Sequence, residues 1–561
     1  MTGHQARQVQ GVNRVITDEA YRELEEAVGE ENVSREPALL DSYAWQPFAN
    51  DNPERWVIRP VAVAMPGSTE EVQALVKALG RHGLKFKAFS TGWGAYSSPT
   101  SEDVVQVDLR RMDRILEIDE KNMYVVLEPY VCGAQLQAEA MKVGLNTHII
   151  GAGPSCSPLA SATSAFGVGW DCVYMSYSGR NLLGAEWVLP DGEVLRLGTL
   201  GSDCGWFCGD GPGPSLRGIV RGSTGALSGL GIFTKAAIKL YNWPGPPQVK
   251  TEGLLLDAQS EVPENLRFCM CYWPDRKTQN EAIYKINESE LCYIFSRTGL
   301  GATISIATPH LMKHLTKTST LRSMITGDLK YGCTLIMVAD SPAEMAYKEG
   351  VLKEIAKQYG GAIINLTEAK PIIRMFLMNF LRATAVPVVF RMGGQMFTAL
   401  DRNDTWDAQM DWADMGEVVK QKWIDRGGIL DDMANNPYMV TYEDNTWGHC
   451  EEIYQYDPRN PDHLAALEPL FVEFSLEAVE RCMEPLSSTD ARLRKIISPM
   501  MGHYTRWQKK ISGALDKSRA ADTGMYCDEV DFDLSKVDPE ISQRFEKVIE
   551  KFSWTDDGPP E

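Results

Sequence analysis

The stretch from Pro154 to Gly198 constrains the fold of this chain more than any other. Its first half, Ser157 to Gly169, consists almost entirely of Ser, Ala, Thr and Gly. Such a run has little bulk and no charge, so a large flat ligand can approach the backbone and anionic oxygens can reach its N–H groups. The second half predicts a β-hairpin, because GAEWVL and EVLRLG flank a Pro190-Asp191-Gly192 turn. The alternative is a packing seam of small residues beside an ordinary hairpin.

Length and charge limit the classes of protein to which the chain can belong. Its 561 residues are too many for one hydrophobic core and predict roughly two to four domains. The formal net charge of −20 argues against nucleic acid or an anionic membrane as a partner and would suit a basic protein partner. The N-terminus lacks the apolar core of a signal peptide, and no run approaches the roughly 18 apolar residues of a membrane span. We therefore expect a soluble cytoplasmic protein.

The cysteines predict no metal centre. All twelve are scattered, and the chain contains no CxxC. The closest pairs, Cys204/Cys208 and Cys269/Cys271, lack partners at metal-ligand spacing. We expect buried, reduced thiols and no iron–sulfur cluster held by this chain alone.

Hydrophobic periodicity divides the chain into two kinds of structure. Residues 16–30 form an amphipathic helix, and the strand in VIRPVAVAMP precedes a helix capped by Ser68 or Thr69. A Gly-rich loop and a strand at Val104–Leu109 follow. From residue 244 to about 486, strand-like and helical segments alternate, which predicts an α+β domain with an antiparallel sheet. Residues 489 to 552 return to helices.

Three stretches, taken together, resemble one family of flavoenzymes. They are the small-residue run with its hairpin, YVVLEPYVCGAQ at Tyr124–Gln135, and RGSTGALSGLGIFTKAAIKL at Arg221–Leu240. Their order and spacing are similar to those of the vanillyl-alcohol oxidase and p-cresol methylhydroxylase superfamily, closely over about residues 55–245. The resemblance implies FAD as cofactor and an α+β fold class. It implies a two-subdomain FAD-binding domain of the p-cresol methylhydroxylase type (1–243), an α+β cap domain with an antiparallel sheet (244–488) and a C-terminal helical segment returning to the FAD domain (489–561).

The same resemblance implies which residues hold FAD. The loop Ser90–Tyr96 would surround the pyrophosphate, whose oxygens can be bound by free backbone N–H groups without a lysine. The predicted cofactor-binding residues are Ser90, Thr91, Gly92, Trp93, Gly94, Ala95, Tyr96, Pro129, Gly153, Pro154, Ser155, Cys156, Ser157, Ser161, Ala162, Gly167, Gly169, Gly231, Ile232, Thr234 and Gln395.

The chain departs from its relatives at the positions that tether the flavin. Trp93 and Gly94 stand where many members have a His bonded to the flavin, and Gln395 aligns with the tethering His of others. We therefore expect FAD to be bound non-covalently and at a lower potential, which favours a dehydrogenase over an oxidase. Cys156 lies near the point at which some relatives attach flavin C6, and we interpret it as a buried thiol near the ring.

The phenolate clamp of phenol-oxidising relatives is only partly present. Tyr96 aligns near one Tyr of that clamp, but the second Tyr and the Arg align with Asp490 and Ala491. Gly153 replaces the acidic residue that lies by flavin N5 in vanillyl-alcohol oxidase. These departures weaken a direct transfer of that chemistry.

Other polar residues of the cap are candidates for the proton transfer that accompanies hydride transfer to a flavin. They are Arg391, before a Gly-Gly pair, and His449 and Tyr454 in WGHCEEIYQY. On period-2 alternation, His449 shares a strand face with Glu451, and Tyr454 lies on the opposite face. A hydrogen-bonded structural His is an equally good interpretation of His449.

The predicted function is therefore an FAD-dependent oxidoreductase that acts on a CH–OH or CH group, with a para-substituted phenol or benzylic alcohol as substrate. One alternative is a 2-hydroxy acid dehydrogenase of the glycolate or D-lactate type, with Arg391, Arg492 or Arg494 holding the carboxylate. Another is the flavin subunit of a multi-protein complex that passes electrons to an acceptor protein. A homo-oligomer is expected in each case.

Overall fold

In the computed structural model, two larger β-sheets and one two-stranded sheet, which pairs Leu145–Asn146 with Tyr241–Asn242, lie in the part of the chain before residue 243. Its strands are β1 (Val33–Ser34), β2 (Ala62–Ala64), β3 (Lys85–Phe89), β4 (Val104–Asp108), β5 (Ile115–Asp119), β6 (Tyr124–Leu127), β7 (Leu145–Asn146), β8 (Leu182–Val188), β9 (Val194–Arg196), β10 (Ile232–Lys239) and β11 (Tyr241–Asn242). The first sheet has the order β1–β2–β4–β3, with β2, β4 and β3 parallel. The second has the order β5–β6–β10–β8–β9 and is antiparallel throughout.

The structure describes residues 15–44, 58–92, 97–164, 167–202, 205–206, 209–211, 215–221, 225–253, 259–297, 319–368, 370–384, 396–400, 404–433, 437–444, 447–457, 459–483 and 490–552. No helix within these ranges is both long enough and apolar enough to cross a bilayer.

Local sequence signals account for the elements that surround these two sheets. The helices are α1 (Asp18–Val28), α2 (Pro37–Ala44), α3 (Thr69–Arg81), α4 (Gly133–Lys142), α5 (Pro158–Thr163), α6 (Cys172–Met175) and α7 (Arg217–Val220). The predicted cap of α3 is confirmed, since the Ser68 side chain accepts a hydrogen bond from the Glu71 N–H at 3.2 Å. The predicted hairpin is also present, because β8 pairs with β9 across a turn in which Gly192 has a φ of +81°.

The region after residue 243 is α+β, as predicted, but it contains two larger sheets rather than one. Its strands are β12 (Thr251–Glu252), β13 (Gln259–Ser260), β14 (Leu266–Tyr272), β15 (Ile294–Ser296), β16 (Gly332–Val338), β17 (Ala362–Asn365), β18 (Met396–Leu400), β19 (Asp404–Thr405), β20 (Tyr438–Thr441) and β21 (Trp447–Gln455). One sheet has the order β15–β16–β14–β17, and in the other β18, β19 and β20 all pair with β21; both are antiparallel. The sheets meet where the Arg297 N–H donates to the Met439 carbonyl at 2.9 Å.

These two sheets separate two hydrophobic cores. The helices are α8 (Arg276–Glu288), α9 (Ser319–Thr326), α10 (Pro342–Gln358), α11 (Lys370–Arg382), α12 (Trp406–Asp425) and α13 (Pro461–Glu480). Alternate residues of β21 point to opposite cores: Cys450 and Tyr454 pack in one with Trp412 of α12, and Ile453 packs in the other with Trp170. The second core joins this region, which we call the cap, to helices α4 and α6 and the loops beside them in the N-terminal part.

The C-terminal part contacts both regions. Its helices are α14 (Ala491–Ile497), α15 (Tyr504–Leu515) and α16 (Pro539–Phe552). Leu493 of α14 and Phe545 of α16 pack with Leu476 of α13 in the cap. Between these helices the chain returns to the first sheet, where the Phe86 N–H donates to the Ala520 carbonyl at 2.8 Å.

Candidate functional site

An open cavity lies in the N-terminal part of the molecule. Its wall includes the residues that follow β3, the loop that precedes α5, and the start of β10. The lining residues are Ala88, Ser90, Thr91, Gly92, Ser97, Leu109, Pro129, Ile150, Cys156, Ser157, Leu159, Ala160, Ser161, Ser164, Leu227, Ser228, Gly231 and Phe233. The cavity thus draws together segments that are far apart in the sequence.

The wall of this cavity is neutral and rich in hydroxyl groups. None of the described lining residues has a charged side chain, and seven of them are Ser or Thr. Some hydroxyls are engaged within the wall: Ser90 Oγ donates to the Pro129 carbonyl at 2.5 Å, and Ser161 Oγ donates to the Ser157 carbonyl at 2.8 Å. Small apolar residues and neutral donors suit a flat ligand with phosphate oxygens, which need hydrogen bonds more than a point charge. The residues present therefore fit FAD.

The predicted cofactor-binding residues divide into three groups. Those that line the cavity are Ser90, Thr91, Gly92, Pro129, Cys156, Ser157, Ser161 and Gly231. Those that are described but do not line it are Gly153, Pro154, Ser155, Ala162, Gly167, Gly169, Ile232 and Thr234. The predicted residues Trp93, Gly94, Ala95, Tyr96 and Gln395 lie outside the described residues, as does Arg391, which was predicted as a catalytic residue.

Glycine is needed at these positions chiefly because a side chain would collide with other atoms of the protein. A Cβ at Gly231, whose φ is +123°, would lie 2.4 Å from the Val188 carbonyl oxygen. A Cβ at Gly169 would lie 2.0 Å from the Ile149 carbonyl oxygen, and one at Gly92 would lie 2.2 Å from the Phe89 ring. The close approach that a small-residue run permits is here mainly that of backbone to backbone.

Thr234 belongs to a hydrogen-bond cluster that joins helix α3 to the second sheet. The cluster is centred on Glu186 of β8, whose carboxylate accepts hydrogen bonds from Thr69 at 2.6 Å and Lys235 at 2.8 Å. Burial alone would raise the pKa of Glu186, but the hydrogen bonds from Lys235 and Thr69 lower it to about 2. Thr234 Oγ1 donates to the same carboxylate at 3.2 Å, so its described contacts are structural.

Cys156 is the sulfur-bearing residue of the wall. It is buried, and burial raises the pKa of its thiol to about 12, so the group is protonated at neutral pH. A neutral thiol beside the cavity agrees with the interpretation made from the sequence.

Aromatic residues join the cap to the cavity wall. The Trp170 ring lies 4.8 Å from Phe380 and 5.8 Å from Tyr438 of β20, centroid to centroid. The Tyr438 hydroxyl reaches the backbone next to the cavity, since a Cβ at Gly151 would lie 2.8 Å from it. This hydroxyl is fully buried and has no hydrogen-bond partner among the described residues. Burial raises the pKa of Tyr438 well above its usual value, so it is a neutral donor.

The two cap residues predicted for catalysis point to different cores. His449 is buried on the strand face directed toward the second core, with its ring 6.3 Å from that of Tyr438. Tyr454 lies on the other face, packed edge-on against Phe474 of α13 at 5.9 Å in the cap core. The structure therefore brings His449, but not Tyr454, to the side of the cap that meets the cavity region.

A buried His–Asp pair at the same junction was missed by sequence reasoning. His148 Nδ1 lies 2.5 Å from Asp171 Oδ1, and the other Asp171 oxygen accepts the Ile149 N–H at 2.7 Å. Among the described residues, His148 Nε2 has no hydrogen-bond partner. The two residues are 23 positions apart, on either side of the small-residue run, so no local sequence motif predicts their contact.

The arginines proposed to bind a substrate carboxylate are already engaged where they are described. Arg492 pairs with Asp490 at 2.8 Å and with Glu468 at 2.6 Å. Arg494 is buried and donates to backbone carbonyls of the returning C-terminal segment, including that of Met525 at 2.8 Å. These pairings disfavour the hydroxy-acid alternative so far as it depends on them.

Comparison with known proteins identifies the cavity-bearing region. Residues 60–198 match the model of a family described as an FAD binding domain. A 1'-carboxy-chondrochloren decarboxylase of Chondromyces crocatus is 30% identical over 247 residues, which are 42% of this chain and 40% of that protein. The flavoprotein subunit of 4-cresol dehydrogenase (hydroxylating) of Pseudomonas putida is 26% identical over 265 residues, 45% of this chain and 48% of that protein. The chain thus spans less than half the length of these curated relatives.

The likeness in fold extends over nearly the whole chain. The crystal structure of p-cresol methylhydroxylase with substrate bound superposes with a TM-score of 0.72 and 18% identity, covering 92% of this chain and 99% of that one. At this identity the match concerns the fold alone. It includes the cap as well as the region matched by the family model.

Proposed function

We propose that the chain, which resembles the vanillyl-alcohol oxidase and p-cresol methylhydroxylase flavoproteins in its FAD-binding domain and in its fold, is an FAD-dependent oxidoreductase whose substrate is a para-substituted phenol or a benzylic alcohol. When bound, FAD accepts a hydride from the substrate carbon. The observation that carries the proposal is the aromatic junction of Trp170, Phe380 and Tyr438 beside the cavity wall. Aromatic walls favour a flat apolar substrate.

The residues of this chain bind and orient the substrate in this proposal. Tyr438 donates its unpartnered hydroxyl hydrogen bond to the substrate oxygen, which satisfies a buried polar group and fixes the orientation of the ring. His449, whose ring lies 6.3 Å from that of Tyr438, is the candidate proton acceptor within the cap. Tyr96 and Arg391 stay sequence-based candidates for contact with the same oxygen.

An anaerobic reduction assay tests this proposal. The bound flavin is mixed without oxygen with para-substituted phenols, benzylic alcohols and 2-hydroxy acids, and its visible absorbance is followed. Phenols or benzylic alcohols should bleach the flavin, and hydroxy acids should not. In Tyr438→Phe the rate should fall about tenfold, the effect of one lost hydrogen bond of about 1.4 kcal/mol. Tyr272→Phe is the matched control, because Tyr272 is a buried cap tyrosine whose hydroxyl donates to the Met270 sulfur at 3.7 Å. Reduction by hydroxy acids alone would refute the proposal.

We also propose that the electrons pass to a protein acceptor rather than to oxygen. The net charge of −20 would attract a basic acceptor surface, and salt would screen that attraction. Reoxidation by air should therefore be slow, and turnover with a protein acceptor should fall as ionic strength rises. The proposal would be contradicted if the rate of hydrogen peroxide formation with oxygen equalled the rate of reduction of an artificial dye.

A further inference from the structure

Two cysteines lie side by side at the edge of the cavity wall. Cys132 is the N-cap of α4, and the N–H of the next residue, Gly133, donates to the Cys156 carbonyl at 2.9 Å. The Ala134 N–H donates in turn to the Pro154 carbonyl at 2.8 Å, so the two segments run together. The bonds on either side of this hydrogen bond limit the separation of the Cys132 and Cys156 Cα atoms to at most about 8 Å. Disulfides join Cα atoms about 4.4–6.8 Å apart.

The two thiols differ in their access to solvent. Cys132 is partly exposed, whereas Cys156 is buried and lines the cavity. The Arg382 guanidinium is within electrostatic range of Cys132, which also stands at the positive end of a ten-residue helix. Thiolates are the attacking species in disulfide exchange, and a soluble disulfide reaches a partly exposed thiol before a buried one. Cys132 is therefore suited to react first and Cys156 to react second.

We propose that Cys132 and Cys156 form a reversible disulfide in the wall of the FAD cavity by exchange with a low-molecular-weight disulfide. The Cys132 thiolate attacks one sulfur of that disulfide, which forms a mixed disulfide and releases one thiolate. Cys156 then loses its proton to water and attacks the Cys132 sulfur, which closes the intrachain bond and releases the second thiolate. The two protein thiols lose two electrons in total, and the small disulfide gains them.

Through this bond, the ratio of disulfide to thiol in the surrounding solution would change the structure of the cavity wall. The bond turns the Cys156 sulfur from the cavity toward α4, and it ties the segment that carries Ser157 to that helix. While the bond is closed, Cys156 is unavailable for any reaction with the flavin. The inference does not rest on the substrate or on the activity proposed above, since it concerns only the wall of the cavity.

Mass spectrometry of the full chain with FAD bound tests the proposal. The protein is incubated with oxidised glutathione, its free thiols are alkylated after unfolding, and its peptides are mapped. We expect a peptide pair linked through Cys132 and Cys156, which dithiothreitol separates. Alkylation of both residues after oxidation, a mixed disulfide that persists on Cys132, or flavin covalently attached to Cys156 would each overturn the proposal.

Single substitutions separate the two steps. Cys156→Ser should trap glutathione on Cys132, because the second thiol is missing. Cys132→Ser should form no linked pair, and it should fold normally because Ser is a favoured N-cap residue. Cys482→Ser, which removes an exposed thiol elsewhere, is the control and should leave the linked pair unchanged. A Cys132 that takes up no glutathione in Cys156→Ser, or loss of the linked pair in Cys482→Ser, would overturn the proposal.

Discussion

Glu452 is a carboxyl group enclosed in the core of the cap. Neither of its oxygens has a hydrogen-bond partner among the described residues, and it packs against Gly416 of α12, where a Cβ would lie 2.3 Å from its Cγ. Burial raises the pKa of Glu452 to about 8, although Lys420 lowers it in part. The folded protein therefore holds this proton at pH values at which the unfolded chain has lost it.

Stability should consequently fall as the pH rises through this interval. Between the ordinary value of 4.5 and about 8, the folded state binds one more proton at Glu452 than the unfolded state, so unfolding becomes easier by up to about 1.4 kcal/mol per pH unit. Glu452→Gln cannot ionise and should flatten this slope, measured as urea midpoints from pH 5 to about 8. Asp444→Asn removes a carboxyl whose pKa burial raises to about 7, so it should remove only the slope below about pH 7. An unchanged slope in Glu452→Gln would contradict the assignment.

Gly231 is the cavity-lining residue whose substitution most directly tests the site. Any Cβ there strains a φ of +123° and meets the Val188 carbonyl oxygen at 2.4 Å and Trp187 Nε1 at 2.5 Å. Gly231→Ala should therefore shift the start of β10 and reduce the FAD content per chain severalfold, measured by flavin absorbance. Gly350→Ala in α10, where a Cβ meets nothing within 4 Å, is the control and should keep full flavin content. Equal flavin content in both variants would show that FAD does not bind beside Gly231.

At the scale of elements, α14 anchors the segment that returns to the N-terminal sheets. Arg494 of α14 donates to the carbonyls of Gly524, Met525 and Asp528. Tyr526 of this segment packs against Gly229, next to the lining residue Ser228. The arginine thus supports the back of the cavity wall from a distance.

Replacing this arginine should loosen the segment. A lysine in Arg494→Lys lacks the planar fork that reaches several carbonyls, and each lost charged hydrogen bond costs about 2 kcal/mol. We expect faster proteolysis between residues 516 and 531 and release of FAD at a lower temperature. Arg492→Lys, which keeps a cation beside Asp490 and Glu468, serves as the control. Protection from protease equal to that of the parent would argue against the anchoring role.

At the scale of the whole molecule, the linkage of the cofactor stays a prediction from the sequence. Trp93, Gly94 and Gln395 are the residues that we align with the tethering histidines of other flavoenzymes, and burial raises the pKa of the Cys156 thiol in the cavity wall to about 12. Acid precipitation of the purified protein should therefore leave intact FAD in the supernatant. Flavin that stays with the precipitate would contradict this, and peptide mapping around Cys156 would then locate the bond.

The sequence by itself determined the elements and the class of cofactor. The Ser68 cap, the Pro190-Asp191-Gly192 hairpin and the α+β character of the cap arise from contacts within a few residues, and local patterns record such contacts. The sequence also pointed to the run at Ser157–Gly169 and to the segment that begins at Ser90, and residues of both line the cavity. Glycine and small residues in these segments indicate that backbones approach closely.

Only the tertiary structure decided which residues face one another. His148 meets Asp171 across 23 positions, Tyr438 of the cap reaches Gly151, and β21 turns His449 and Tyr454 to opposite cores. The burial of Glu452 and the pairing of two cap sheets have no signal within a window of the sequence. Such contacts depend on how whole sheets pack, and a periodic pattern fixes the face on which a residue lies but not what that face covers.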